Sequence, residues 1–451
     1  MRPFGNRDRV GYMFGDLAND LFFVYMATYL MLFYTDIMGI SGHAVGVMFL
    51  VVRLWDALCD VAIGSFIDSR KPSPEGKFRP YLIRFSVPIS VLGVLCFTYF
   101  PSMSEQMALV YAYLTYMVYG TLYSCVNIPY GSLASAITSN PLERTSLSTY
   151  RTLGAAIANI VIAFTVPKLI FDVNNVPQAG GFLTAAVLFA VLSVIFYYGS
   201  YKLTTERITA GYDEVPRVDW GETVRGMLRN RSLIAFIIAS IIMLTVNFLM
   251  ASLNPYLFKD YFKNGELLSW MTLIVLPVSF ILLPTVKPLV ARFGKKEVAA
   301  GALILTFVSN LLLFSLPHVN PWVYLAFQFL SLIGLGYITM LTWALVADII
   351  DYHEYITGKR QEGTVYSVYS FARKLGQALS GGLAGFALGA IGYVQGLAEQ
   401  PPEVAHRIKQ VITIVPATGS LAIIVLLALV YNLSKERVEK LLVELEAQRG
   451  H

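Results

Sequence analysis

Charge is scarce in this chain. Only 14% of its 451 residues are Asp, Glu, Lys or Arg, against about 25% in soluble domains. Cysteine is scarcer still: Cys59, Cys96 and Cys125 each sit in an apolar stretch with no motif spacing between them. That excludes a disulfide framework and a zinc ribbon and leaves three small buried hydrophobes. The short alternating segments of a β-barrel are missing. No cleavable signal peptide is expected, because Met1–Val10 is short and basic and the first apolar run already holds acidic residues. The net charge of +5 calls for no acidic partner, and no nucleic-acid partner is expected.

What fills the chain instead is apolar. Hydrophobic residues make up 56% and the mean hydropathy is +0.60. The excess lies in long runs such as Leu233–Leu249, Leu267–Leu283 and Val411–Val430. A run of about 17–20 such residues spans a bilayer as a helix, and helices satisfy their own backbone in lipid. The runs predict an all-α membrane protein of about twelve spans. They fall near 11–37, 42–67, 81–100, 105–138, 146–171, 178–201, 232–258, 266–291, 297–316, 321–349, 363–393 and 409–432.

The connections alternate in charge. One set carries Arg2, Arg7 and Arg9; Arg70, Lys71, Lys77 and Arg79; Arg144; Lys202, Arg207, Arg217, Arg225 and Arg229; Arg292, Lys295 and Lys296; Lys359 and Arg360; and Lys435, Arg437 and Lys440. The other set holds few cations, chiefly Lys259, Lys263, Arg407 and Lys409. By the positive-inside rule the basic set, with both termini, is cytoplasmic. The longest polar connection divides the chain into a bundle at 1–201, a loop at 202–231, a second bundle at 232–432 and a tail at 433–451. Each half has a Gly/basic turn after its second span, at Gly76-Lys77 and Gly294-Lys295. Such weak symmetry suits a transporter of two parallel repeats; good cytoplasmic turns alone would also produce it. In the tail, Val438, Leu441, Leu442 and Leu445 share one helical face, which predicts an amphipathic helix on the membrane surface.

Ionisable residues inside spans are costly and so point to function. Asp16 and Asp20 are four apart in the first span, on one face. Arg53, Asp56 and Asp60 line one face of the second. Ser124 and Asn127 share a stripe of the fourth, flanked by Tyr123 and Tyr130. Arg151 opens the fifth, Trp343, Asp348 and Asp351 lie in the tenth, and Arg373 and Lys374 in the eleventh. Two carboxylates side by side in low dielectric either share a proton or hold a cation. Asp56 and Asp60 therefore suit coupling to H⁺ or Na⁺; a static ion-pair network with Arg53 is the plainer alternative. Asp20, Asn127, Arg151 and Trp343 suit a sugar, whose hydroxyls want donors and acceptors and whose ring wants an aromatic face. Asp348, Asp351 and Glu354 are expected to pair with basic loops such as Lys77/Arg79 as a gate or clamp, and His353 to be a solvated loop residue.

An enzyme is the rival reading. Asp56-x-x-x-Asp60 is similar to the aspartate-rich Mg²⁺ motif of membrane prenyltransferases, with Asp348…Asp351 as a second motif. Asp56, however, lies about 13 residues, or ~20 Å of helix, from the cytosolic edge, where a diphosphate could not reach it. A non-transporting sensor has no use for costly buried charges.

Several segments, in order, resemble the glycoside–pentoside–hexuronide:cation symporters, the melibiose-permease family of the major facilitator superfamily. They are Tyr34-Thr-Asp36, Arg53-Leu-Trp-Asp56…Asp60, Gly76-Lys-Phe-Arg-Pro80, Asn127-Ile-Pro-Tyr-Gly-Ser-Leu133, Trp343-Ala-Leu-Val-Ala-Asp348 with Asp351-Tyr-His-Glu-Tyr355, and Arg373-Lys374. The resemblance implies two six-helix bundles and alternating access. It implies Asp56 and Asp60 as cation carboxylates with Ser124 beside them, a possible Na⁺ site, and Asp20, Asn127 and Arg151 as sugar ligands. It links Trp343 and Lys374 to the sugar site and to coupling. Three positions depart from melibiose permease: Cys59 replaces an amide, Asn127 a carboxylate and Gly131 a tryptophan. A thiol is a poor ligand for a hard cation, which weakens Na⁺ and favours H⁺. The pattern is closer to the glucuronide, sulfosugar and pentoside carriers, and Arg373 beside Lys374 could recognise an anionic sugar. The expectation is a monomeric symporter of the bacterial cytoplasmic membrane, with no cofactor beyond its coupling ion.

Overall fold

A computed structural model describes residues 2–70, 73–208, 229–358 and 362–449. Lys71, Arg217, Arg225, Lys359 and Arg360 of the basic set, and most of the 202–231 loop, lie outside these ranges. The described elements are helical. In chain order they are α1 (Asn6–Leu32, continued by a π turn at Phe33–Ile37), α2 (Gly42–Ser69), α3 (Arg79–Cys96), α4 (Glu105–Ile137), α5 (Pro141–Ile170) and α6 (Ala179–Leu203). Then come α7 (Arg231–Tyr256, with a π turn at Leu257–Tyr261), α8 (Val275–Phe293), α9 (Lys295–Ser315), α10 (Pro321–Thr357), α11 (Glu362–Ile391), α12 (Pro402–Val425, with a π turn at Leu426–Val430) and α13 (Lys435–Arg449).

Local chemistry sets the helix ends. Ser41 and Ser104 accept the backbone N–H of Ala44 and Met107 as N-caps. Asn140 and Asn320 cap α5 and α10 and are followed by Pro141 and Pro321, whose missing N–H costs nothing in a first turn. Gly358 closes α10 in the left-handed conformation, φ 68°. Among the described residues, nine helices are long and apolar enough to cross a membrane. The three long helices outside that count, α2, α4 and α11, carry Asp56 and Asp60, Ser124 and Asn127, and Arg373 and Lys374.

The chain forms two compact units. The first comprises 1–213, 251–269 and 381–404; the second comprises 214–250, 270–380 and 405–451. In the first, α1 packs on α5 and α6, α3 on α4 and α6, and α2 on α4. Its core is aromatic, with Tyr25 stacked on Phe97 at 4.1 Å and Phe33, Phe182 and Phe189 around them. Glycine lets backbones meet: a side chain at Gly46 of α2 or at Gly385 would enter the facing backbone.

In the second unit α10 packs on α8 and α9. The α9–α10 seam is polar, with Asn310 donating to Ser331 and accepting from Gln328 at 2.9 and 3.1 Å. The tail helix α13 corrects the sequence expectation. Leu441 and Leu445 are buried in the core of this unit, with Val438 packed beside it; Leu442 stays exposed. Burying a leucine is worth about 1.5–3 kcal/mol, so the helix spends its apolar face on protein. Lys435 secures it by donating to the carbonyls of Ala291 and Arg292, at the end of α8.

Candidate functional site

Two groups of charged residues lie along the helices of the first unit. In the first, Arg151 of α5 donates from Nε to Asp16 Oδ1 at 2.8 Å, and its guanidinium lies 5.5 Å over the Tyr130 ring. Tyr130 stacks on Tyr12 at 4.7 Å and donates its hydroxyl to the Tyr12 carbonyl. Gly15 makes this possible, since a side chain there would enter the Tyr130 ring. Asp16 is buried, whereas 44% of the Arg151 side chain is exposed. Asp20, one turn on, is half-buried and accepts no hydrogen bond among the described residues. Asn127, on α4, likewise keeps its amide unspent. The sequence placed Arg151 with Asp20; the partner that Arg151 ion-pairs is Asp16.

The second group lies between α2 and α4. Ser124 donates to Asp60 in a short hydrogen bond. Arg53 Nη1 is 3.6 Å from Asp56 Oδ2, with 25% and 18% of the two side chains exposed, and the guanidinium lies 6.0 Å from the Tyr116 ring. Trp55 donates to Thr121 at 3.0 Å, and Cys59 Sγ lies 3.7 Å from the same hydroxyl. Gly120 leaves the space that the Asp56 carboxylate fills. Helix α4 thus carries both groups. Ser124 touches Asp60, Tyr123 stacks on Phe23 of α1 at 6.0 Å, and Tyr130 lies under Arg151.

Carboxylates that sequence reasoning overlooked hold the basic end of this unit. Glu206 accepts the backbone N–H groups of Lys77, Phe78 and Arg79 at 2.7–2.9 Å, capping the entry to α3 after Gly76, φ 120°. Arg79 donates to the Tyr201 carbonyl. Buried Asp8 pairs with Arg207 at 2.9 Å and accepts from Thr205 N. Nothing in a helical period signals these partners, which are more than a hundred residues apart.

In the second unit Asp348 pairs with Lys295 at 2.6 Å. Lys295 opens α9 just past the Gly294 turn, so Asp348 pairs with one of the basic connections. Asp351 and His353 lie on α10, which runs on to Thr357. His353 is fully buried, correcting the solvated-loop expectation; the helix continues past the apolar run until Gly358 stops it. Trp343 is more than half exposed and meets the Tyr369 ring edge-on at 5.4 Å. Arg373 and Lys374 are both exposed on α11.

The profile of the MFS/sugar transport protein family matches residues 11–435. The uncharacterised symporter YjmB of Bacillus subtilis is 35% identical over 96% of this chain and 93% of its own. A glucuronide carrier protein homologue of Escherichia coli is 32% identical over 98% and 96%. Among solved structures, a bacterial homologue of the human lysosomal transporter Spinster, inward-facing and unoccupied, superimposes with a TM-score of 0.66 at 11% identity, covering 98% of this chain and 99% of its own.

Proposed function

This chain belongs to the MFS/sugar transport protein family, and from that premise we propose that it is a symporter that brings a glycoside, pentoside or hexuronide into the cell with H⁺ or Na⁺. It is a membrane transporter and not an enzyme, as its relatives are. The observation that carries the coupling reading is helix α4, which bears Ser124 against Asp60 and, one turn on, the unspent amide of Asn127. An ion or proton at Asp56 and Asp60 would change the position of the helix that the sugar touches. Such a differential contact is what links two sites energetically.

Asp20, Asn127 and the exposed part of Arg151 are the sugar ligands of the first unit. Asp16 balances the charge of Arg151 and fixes its plane, leaving Asp20 to accept sugar hydroxyls. Trp343 supplies an aromatic face in the second unit, where Arg373 and Lys374 are the candidates for an anionic substituent. Cys59, near Thr121, favours H⁺ over Na⁺ because a thiol ligates hard cations poorly. The positive-inside rule favours a cytoplasmic position for Arg79, Arg207 and both termini. The expected location is the cytoplasmic membrane of a bacterium, and the protein acts as a monomer.

Uptake of labelled glycosides into vesicles, driven separately by Na⁺ and pH gradients, tests this. Asp56→Asn and Asp60→Asn should each reduce the accumulation ratio to about one, the value for passive equilibration. Unchanged concentrative uptake in both variants would overturn the coupling role. Competition by glucuronides, set against neutral glycosides, decides the anionic substrate.

A further inference from the structure

The end of the first unit opposite the Glu206 cap holds a charged cluster with no part in the sites above. Lys259, in the π turn after α7, contacts Asp36 in the π turn after α1 and lies 3.3 Å from Asp260 Oδ1. Exposure of the three side chains is 1%, 3% and 0%. Tyr393, just past α11, donates to Asp36 at 2.9 Å and lies 3.3 Å from Asp260 Oδ2. Lys259 also donates to the Tyr393 hydroxyl and the Leu397 carbonyl. Asp260 Oδ1 is buried and accepts no hydrogen bond.

The charges do not balance. Two sealed carboxylates share one ammonium, and an uncompensated buried charge costs several kcal/mol. The other groups around them are neutral: Tyr256, whose hydroxyl bonds Thr35 at 2.8 Å, and Asn175, which donates to the Lys259 carbonyl at 2.7 Å. Asp172, in the same loop as Asn175, is occupied by the backbone N–H groups of Asn174 and Val176. The Lys263–Glu399 pair is solvated, at 65% and 75% exposed. Among the described residues no second cation is paired with the cluster, so the balancing positive charge is taken to come from the medium.

We propose that this cluster is a proton-binding latch: closing the outer end of the protein takes one proton from outside onto Asp260, and releasing that proton lets the end open. The carboxylate gains H⁺ from bulk water and returns it there, and no other bond changes. A closed form that holds one more proton than the open form is favoured as pH falls. The closed-to-open ratio changes by up to about tenfold per pH unit while the site titrates. The proposal rests on the alternating access and orientation given above, but not on any substrate or on Asp56 and Asp60.

The test uses the full chain in right-side-out vesicles and an impermeant maleimide. Ser252→Cys reports opening, since Ser252 is buried and donates to the Ala27 carbonyl of α1. Val173→Cys, fully exposed at the same end, corrects for the pH dependence of the thiol itself. The Ser252→Cys rate relative to Val173→Cys should rise at least tenfold between about pH 6 and pH 9. Added Asp260→Asn, a mimic of the protonated acid, should hold the ratio low and flat. The readout uses neither substrate nor uptake, which separates failure of the coupling reading from failure here. A flat ratio in the parent would overturn the latch whether or not Asp260→Asn inserts. So would a profile unchanged by Asp260→Asn, or one that follows Na⁺ at fixed pH.

Discussion

The mid-helix charges of the first unit and its Lys259 cluster differ in how they are spent. Around Arg151 and Asp60, side chains sit mid-helix and partly exposed, and Asp20 and Asn127 have no hydrogen-bond partner among the described residues. Around Lys259, similar residue types are sealed against one another and their exposure is nearly nil. A buried charge in a membrane protein must be matched or used. The first region keeps its capacity for a ligand, and the second uses most of it on its own structure. Perturbing the first should change binding, and perturbing the second should change stability.

The largest effect should come from Lys259→Met. It strands Asp36 and Asp260 without an ammonium, at a cost of about 3–5 kcal/mol. Thermal unfolding of purified protein should show a large drop in Tm, partly restored by adding Asp36→Asn. A Tm equal to the parent's would mean that the cluster is solvated, and the contrast would fail.

Arg151→Lys should behave in the opposite way. A lysine keeps the charge beside Asp16 but loses the planar fork, so substrate affinity should weaken ~10–100-fold. Stability should stay near the parent's, because 44% of this side chain is already exposed and the lysine keeps the charge beside Asp16. Binding titrations beside melting curves separate the two regions. Loss of Tm with normal affinity would assign Arg151 a purely structural role.

The face of Arg53, Asp56 and Asp60 could be read from sequence because one helix makes it locally, whereas Ser124, 64 residues away on α4, was implied only by the family resemblance. Spacings of three and four put Arg53, Asp56 and Asp60 on one face wherever the helix goes. The Lys259 cluster could not be read in that way, because it joins residues 223 apart. Only hints existed: Asp36 ends a recognisable segment, and Lys259 is one of the few cations on the sparsely charged side. His353 was misplaced because apolar length ends a span before the helix itself stops. The tail was placed on lipid because period alone does not say which apolar surface a face will meet. Asp8 and Glu206 carry no local signal, since their partners include backbone N–H groups and an arginine far along the chain.

The smallest expected effect probes how finely the ligand-ready region is built. Gly120 has no side chain because the Asp56 carboxylate occupies that space. Gly120→Ala would force the carboxylate aside, an overpacking cost of about 1–3 kcal/mol. Part of that should be relieved by rotating Asp56 away, since 18% of its side chain already meets solvent. The outcome should be a fall of roughly two- to fivefold in the uphill accumulation ratio, with downhill exchange of substrate retained. Gly64→Ala, on α2 where an added methyl meets open space, should change neither quantity. If both variants accumulate substrate like the parent, the Asp56 carboxylate has more freedom than a coupling group can tolerate, and the burden would pass to Asp60 and Ser124 alone.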